Sequence, residues 1–155
     1  MTATKRSAGL LLHRAGGAEV LLGHMGGPFW ARRDDGGWSI PKGEYEPDEP
    51  PLQAAYREFV EELGLPVPVG DLAELGELRQ GSGKIVTVWA LAADLDLAGF
   101  APGTFELEWP RGSGRSQAFP EIDRAAWLDV ATARRKLVAG QVAFLDRLAA
   151  QPDRR

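Results

Sequence analysis

Residues 43–65 read GEYEPDEPPLQAAYREFVEELGL. Pro51 suits the first turn of a helix, where its missing N–H costs nothing, and Gly64 suits the position just past a helix end, with Pro66 beyond it. The pattern predicts a helix over 51–63. At about 100° per residue, with Glu58 set at 0°, Glu61 falls near 300° and Glu62 near 40°, so three carboxylates crowd an arc of roughly 100°. Leu52, Ala55, Tyr56, Phe59, Val60 and Leu63 fall between about 60° and 200°, a separate apolar face suited to burial against a sheet. Like charges at i,i+3 and i,i+4 repel by roughly 0.2–0.5 kcal/mol per pair. Glu61 and Glu62 also sit at the helix C-terminus, where the macrodipole disfavours negative charge. A helix selected for stability alone would not carry this arc. A hard divalent cation would remove the penalty, because Mg²⁺ prefers carboxylate oxygens. The plain alternative is a solvated acidic face on which Arg57 pairs Glu61 at i,i+4.

The wider spacing sets that alternative aside. The segment resembles the Nudix box, G-x5-E-x7-R-E-U-x-E-E-x-G-U, with U a bulky apolar residue. Gly43, Glu49, Arg57, Glu58, Glu61, Glu62 and Gly64 fill the seven fixed positions, and Phe59 and Leu65 fill the apolar ones, Phe59 as the looser match. Residue frequencies near 7% put a chance match at a given start on the order of 10⁻⁸. The resemblance implies a Nudix hydrolase of α/β (α+β) class, a mixed β-sheet sandwiched between helices with the box as loop–helix–loop. It implies hydrolysis of a nucleoside diphosphate linked to another moiety, with Mg²⁺ or Mn²⁺ as cofactor. Carried over by position, Glu58, Glu61 and Glu62 look like metal ligands or water-activating groups, and Gly43 would offer a backbone carbonyl to metal. Glu49 and Arg57 would pair and hold the helix in place. A pyrophosphate is already anionic, so attack on it needs charge neutralisation and a positioned water.

The residues entering the box, Ile40-Pro41-Lys42-Gly43, narrow the substrate. A Pro-Lys-Gly run is similar to Nudix members acting on dinucleoside polyphosphates or diphosphoinositol polyphosphates, whereas members that clean nucleoside triphosphate pools more often carry Pro-Gly-Gly. Lys42 would set a positive charge beside a long phosphate chain. The reading favours a dinucleoside polyphosphate or similar polyphosphate. A nucleoside triphosphate pyrophosphohydrolase is the alternative, and a non-catalytic nucleotide-binding module is disfavoured because no box acid is missing. Residues 110–120, PRGSGRSQAFP, have loop composition and bring Arg111 and Arg115 on flexible glycines, which suits phosphate clamping. Glu121 follows. Many Nudix enzymes carry an extra acid on a late loop, as metal ligand or base; Glu121 is the candidate, with Asp123 competing. On the loop 28–38, Trp30 could stack on a base, or it could pin the loop to the body.

Outward from the box, residues 7–13 and 19–24 are aliphatic runs joined by Arg14-Ala15-Gly16-Gly17-Ala18, which predicts a hairpin. Residues 25–37 are loop, Trp38-Ser39-Ile40 is a short strand, and 42–50 are turn-rich. Residues 72–79 and 84–93 predict a strand pair, and 104–109 alternate as a half-buried strand should. A short segment runs to Trp127-Leu128. Residues 132–150 are helical by composition, with a break near Gly140, and Val138, Val142, Leu145 and Leu148 read as core. The tail 151–155 is expected to fray. His13 and His24 read as half-exposed strand residues rather than ligands.

Composition bounds the rest. The chain has 155 residues, enough for a single domain over 1–155. It has no cysteine, which excludes a disulfide scaffold, a thiolate zinc site and a Cys nucleophile. Glycine (19) and proline (11) are abundant without a G-X-Y period, so many turns are expected. The net charge of −4 argues against an extended nucleic-acid surface. No serine has triad-like context, and there is no Walker or dinucleotide-binding glycine pattern. No apolar run is long enough to span a membrane, and the short apolar stretch after MTATKRSAG does not read as a secretory segment. The expected setting is cytoplasmic, with a small nucleotide or polyphosphate as partner, no membrane, and homodimerisation left open.

Overall fold

The computed structural model describes residues 4–152. Strands β1 (Arg6–Arg14) and β2 (Glu19–Met25) form the expected hairpin around a 3₁₀ turn at Ala15–Gly17. They stay paired only at His13↔Val20 and Arg14↔Glu19, then diverge. The chain from β3 (Trp38–Ser39) to β4 (Lys42–Glu44) fills the wedge between them. β3 pairs the far end of β2, β4 pairs the start of β1, and the Leu10 N–H donates to the Pro41 carbonyl at 3.2 Å. This divergence carries the box entry into the middle of the sheet. Lys42–Glu44, expected as turn, is a strand because β1 offers it free ladder partners at Ser7–Gly9.

The sheet is completed on both sides. β6 (Ile85–Ala92) runs parallel to β1, and β5 (Asp71–Arg79) is antiparallel to β6. β9 (Ile122–Asp129) is antiparallel to the whole of β2. Helix α1 (Pro51–Leu63) covers one face, packing Ala54, Ala55, Phe59 and Leu63 on Leu10, Leu12, Leu21, Leu91 and Ile122. Helices α2 (Val130–Lys136) and α3 (Ala143–Ala149) cover the other, over Leu11, Val20, Leu22, Val86 and Val88. Alternation along β1 sends Leu10 and Leu12 to one layer and Leu11 to the other. The expected sheet between helices is what forms.

Three further expectations need correction. Residues 110–120 are not all loop: β7 (Thr104–Glu108) and β8 (Ser116–Pro120) make a separate two-stranded hairpin, leaving a turn at 109–115. Ser116, Gln117 and Ala118 are exposed, so no apolar alternation marks that strand. The short segment before Trp127-Leu128 is an eight-residue strand. The histidines are not half-exposed: His13 is 4% and His24 0% accessible. The break near Gly140 does occur, as a 3₁₀ turn at Ala139–Gln141 between α2 and α3. Leu145 and Leu148 are buried, while Val138 and Val142 are half-buried. Of the tail, 153–155 lie outside the described residues. Among the described residues no helix is long and apolar enough to cross a membrane.

Candidate active site

Helix α1 begins with Pro51 at its first turn and ends on Gly64 in the left-handed region (φ 65°), as its sequence requires. Its buried face is rotated from the one the apolar residues predict. Val60 is 45% exposed, whereas Ala54 and Glu58 are buried. Glu58 therefore points into the protein beside β4. A Cβ built on Gly43 would overlap the Glu58 carboxylate, so only glycine lets β4 lie this close to the acid.

Arg57 organises the acids. Its Nε and Nη2 donate to the two carboxylate oxygens of Glu49, each at 2.8 Å, a forked pair. Its Nη1 donates to Glu58 Oε1 at 2.8 Å and lies 3.3 Å from Glu61 Oε2. One guanidinium thus ties the loop before the helix to two of the three helix acids. The fork holds the Glu49 carboxyl below the usual carboxylate range. The i,i+4 contact with Glu61, expected for a solvated face, also forms, but as one arm of a larger cluster.

The remaining acids are short of positive charge. Glu62 Oε1 accepts from the Lys42 backbone N–H at 3.2 Å. Burial pushes the Glu62 carboxyl up to about 8, the Lys42 ammonium opposes the shift, and the charges of Glu121 and Glu58 add to it. Burial raises Glu58 as well; Arg57 opposes this, while Glu61 and Glu121 reinforce it. Glu121 is raised by burial and by Glu61. These mutual effects place the late-loop acid with the helix acids. The backbone explains its position: the Gly103 N–H donates to the Glu61 carbonyl and the Glu121 N–H to the Gly103 carbonyl, both at 2.9 Å. The competitor Asp123 is engaged elsewhere, accepting from the buried His24 Nδ1 at 2.7 Å.

An all-oxygen set of like charges fits a hard divalent cation. Among the described residues, no three of these acids stand close enough to form a finished cage. Glu58 is turned to Arg57, and Glu62 to the Lys42 amide.

Lys42 is half-buried and borders a cavity of about 390 Å³. Lys84, just before β6, borders it too, as do Ser39, Gln80 and Gln141. The sequence reading missed Lys84, since one lysine after a Gly-Ser-Gly turn carries no signal. Lys84 Nζ lies 3.3 Å from Glu44 Oε2. Burial, then the neighbouring charge of Lys84, lowers the proton affinity of Lys42. Two lysines bordering one cavity, one of them bonded through its backbone N–H to Glu62, can accept phosphate groups. Gln141, also missed, fixes the cavity wall. Its Oε1 accepts from the Ile40 N–H at 2.9 Å and its Nε2 donates to Ser39 Oγ at 3.0 Å.

Arg111 and Arg115 are not among the acids. Both lie in the turn 109–115, at the tip of the β7–β8 hairpin. Five residues of strand put that tip roughly 17 Å from the hairpin base at Glu121. Trp30 is half-buried, with the Arg33 guanidinium 5.5 Å from its ring centroid.

A family model described as NUDIX domain matches residues 3–148. Over 54 residues the chain is 46% identical to an RNA pyrophosphohydrolase of Francisella tularensis subsp. mediasiatica, a segment that makes up 34% of this chain and 35% of that protein. It is 49% identical over 47 residues to an RNA pyrophosphohydrolase of Stenotrophomonas maltophilia, 30% of this chain and 23% of that protein. The chain thus spans about a third or less of the length of these curated relatives. Among solved structures, a Caenorhabditis elegans Ap4A hydrolase binary complex matches with a TM-score of 0.61 at 23% identity, over 93% of this chain and 96% of that one. The NUDIX domain of Shewanella oneidensis NrtR, complexed with ADP ribose, matches with a TM-score of 0.64 at 14% identity, over 95% and 87%. At these identities the likeness shows the fold.

Proposed function

The chain belongs to the NUDIX family, and from that premise we propose that it is a metal-dependent pyrophosphohydrolase. Its substrate would be a nucleoside diphosphate-linked polyphosphate, a dinucleoside polyphosphate first. The observation that carries this reading is the group Glu58, Glu61, Glu62 and Glu121, carboxylates left under-neutralised beside a cavity bordered by two lysines.

Glu58, Glu61 and Glu62, with the Gly43 carbonyl, would hold Mg²⁺ or Mn²⁺. When bound, such an ion neutralises phosphate charge and lowers the pKa of an attached water. The chain's own groups do the rest. Arg57 keeps Glu58 and Glu61 in register with Glu49. Lys42 and Lys84, which border the same cavity, bind phosphate oxygens. Glu121 or Glu62, both disposed to hold a proton, takes one from the attacking water. Trp30 offers a ring to a base, and Arg111 and Arg115 meet whatever part of the substrate extends past the acids.

A second reading is a triphosphate at the 5′ end of RNA, supported by the identity to RNA pyrophosphohydrolases over 54 residues. It presents the same anhydride to the same acids, and one RNA end needs no extended basic surface.

The test is a phosphate-release panel with and without Mg²⁺ or Mn²⁺. It covers dinucleoside polyphosphates, nucleoside triphosphates, nucleotide sugars, ADP-ribose, a diphosphoinositol polyphosphate and 5′-triphosphorylated RNA, with Glu62→Gln as control. Metal-dependent cleavage lost in the variant is the expected result. Silence across the panel, with nucleotide affinity by calorimetry, would replace the enzyme by a binding module.

A further inference from the structure

The β7–β8 hairpin stands outside the seven-stranded sheet, yet its base is bonded to the acid cluster through Gly103 and Glu121. The loop after β2 starts from the same point, where the Gly26 N–H donates to the Glu121 carbonyl at 3.0 Å. Loop and hairpin then lie side by side. A Cβ built on Gly27 would come within 2.9 Å of Phe105 Cζ, so the loop hugs the hairpin there. Phe105 packs on Phe119, with centroids 6.1 Å apart. Further out, Phe29 meets Trp109 edge-to-face at 5.6 Å, and the Arg111 guanidinium lies 5.7 Å from the Phe29 centroid.

Phe29 nevertheless remains 57% exposed. Isolated exposed apolar residues are ordinary; Val69, at 99%, is one and has no framework around it. Phe29 differs because Trp109 packs on it at 84° and the Arg111 guanidinium lies over its ring, while more than half of the residue stays open. Together they make a flat, positioned π-surface with adjacent positive charge, the combination that stacks a nucleobase and tolerates its phosphates. Trp30 and Arg33 repeat the pairing one residue on.

We propose that Phe29, Trp109 and Arg111 form the shelf on which the substrate's nucleobase stacks while its phosphate chain crosses the acids toward Lys42 and Lys84. The reach is right. Phe29 is three residues from Gly26, at most about 11 Å of chain, so one nucleotide bridges the shelf and Glu121. A base-free diphosphoinositol polyphosphate has no use for the rings. The shelf thus selects, among the phosphoanhydrides of the proposed function on which it rests, those that carry a base.

The test is steady-state kinetics of wild type, Phe29→Ala and Phe29→Trp with a dinucleoside tetraphosphate and with a 5′-triphosphorylated oligoribonucleotide. Inorganic tripolyphosphate serves as a base-free competitive inhibitor, and thermal melts check folding. Phe29→Ala should raise KM for the base-bearing substrate roughly 5- to 150-fold, with kcat and the tripolyphosphate Ki moving less than about threefold. Phe29→Trp should restore KM. Whichever substrate shows the change identifies the source of the base. An unchanged KM, or a Ki that rises in step with it, overturns the shelf. If wild type cleaves neither compound, the proposed function fails by itself; calorimetric binding of the same two compounds to wild type and Phe29→Ala then reads the shelf, and equal affinities overturn it.

Discussion

Glu62→Gln in metal-free protein isolates the cost of assembling the acid cluster. The Glu62 carboxyl lies at about 8 in the folded chain against an ordinary 4.5, chiefly because it is buried, with Lys42 opposing and Glu121 and Glu58 adding. A carboxyl with a raised folded pKa holds its proton more tightly when folded. Its contribution to stability is therefore complete below about pH 4.5 and declines as pH rises through about 8. Each pKa unit is worth about 1.4 kcal/mol, so wild type should give up ~3 kcal/mol between the ordinary pKa and pH 7. Glutamine keeps an oxygen to accept from the Lys42 N–H but has no charge to desolvate.

The assay is urea unfolding of both proteins in excess chelator near pH 5, 7 and 8.5. The variant's stability advantage should widen by about 2.5 kcal/mol from pH 5 to 7, by about 1 kcal/mol more to pH 8.5, and level off above that. Titrating groups away from Glu62 are common to both proteins and cancel in the difference, so the neighbours Lys42, Glu58 and Glu121 alone modulate it. Mg²⁺ at about a hundred times its Kd should return ~2.7 kcal/mol to wild type, with little gain in the variant. A pH-independent difference, or a variant less stable than wild type at pH 8.5 without metal, would refute the reasoning.

The other predictions concern activity. Glu61→Gln should fold normally and lose turnover by about two orders of magnitude or more with any substrate of the panel, read as initial rate at saturating Mg²⁺. Arg57→Lys keeps the charge but not the fork to Glu49, so kcat should fall about ten- to hundredfold, while urea stability moves by less than ~1 kcal/mol because Arg57 is over a third exposed. Lys84→Ala should raise KM for polyphosphate substrates about tenfold, with a shallower salt dependence and unchanged kcat. Arg115→Ala should act on KM alone and by less than Lys84→Ala, since its side chain sits at the hairpin tip.

What the sequence made legible was local, and what it hid was long-range. The helix, its Pro51 start and its Gly64 stop follow from residues a few positions apart. The pairing of Arg57 with Glu49, which the family resemblance implied, is present as a fork with both contacts at 2.8 Å. Helical periodicity nevertheless left Glu58 outside the apolar face and put Val60 inside it. The direction a helix turns is set by what it lies on, and α1 lies over the wedge where β1 and β2 part. Gly43 in β4 leaves room there for a carboxylate and for nothing attached to its own Cα. No window along the chain contains that wedge, because it needs residues 7–9, 13–20 and 38–44 at once. The same holds for Lys84 beside Glu44, His24 on Asp123, and Gln141 closing on Ser39 and Ile40. Each pairing joins segments whose own composition is unremarkable. A motif therefore names the acids, but the divergence of two strands decides which acid is buried. Burial beside that wedge raises Glu62 first, and the charges of Glu121 and Glu58 add to it.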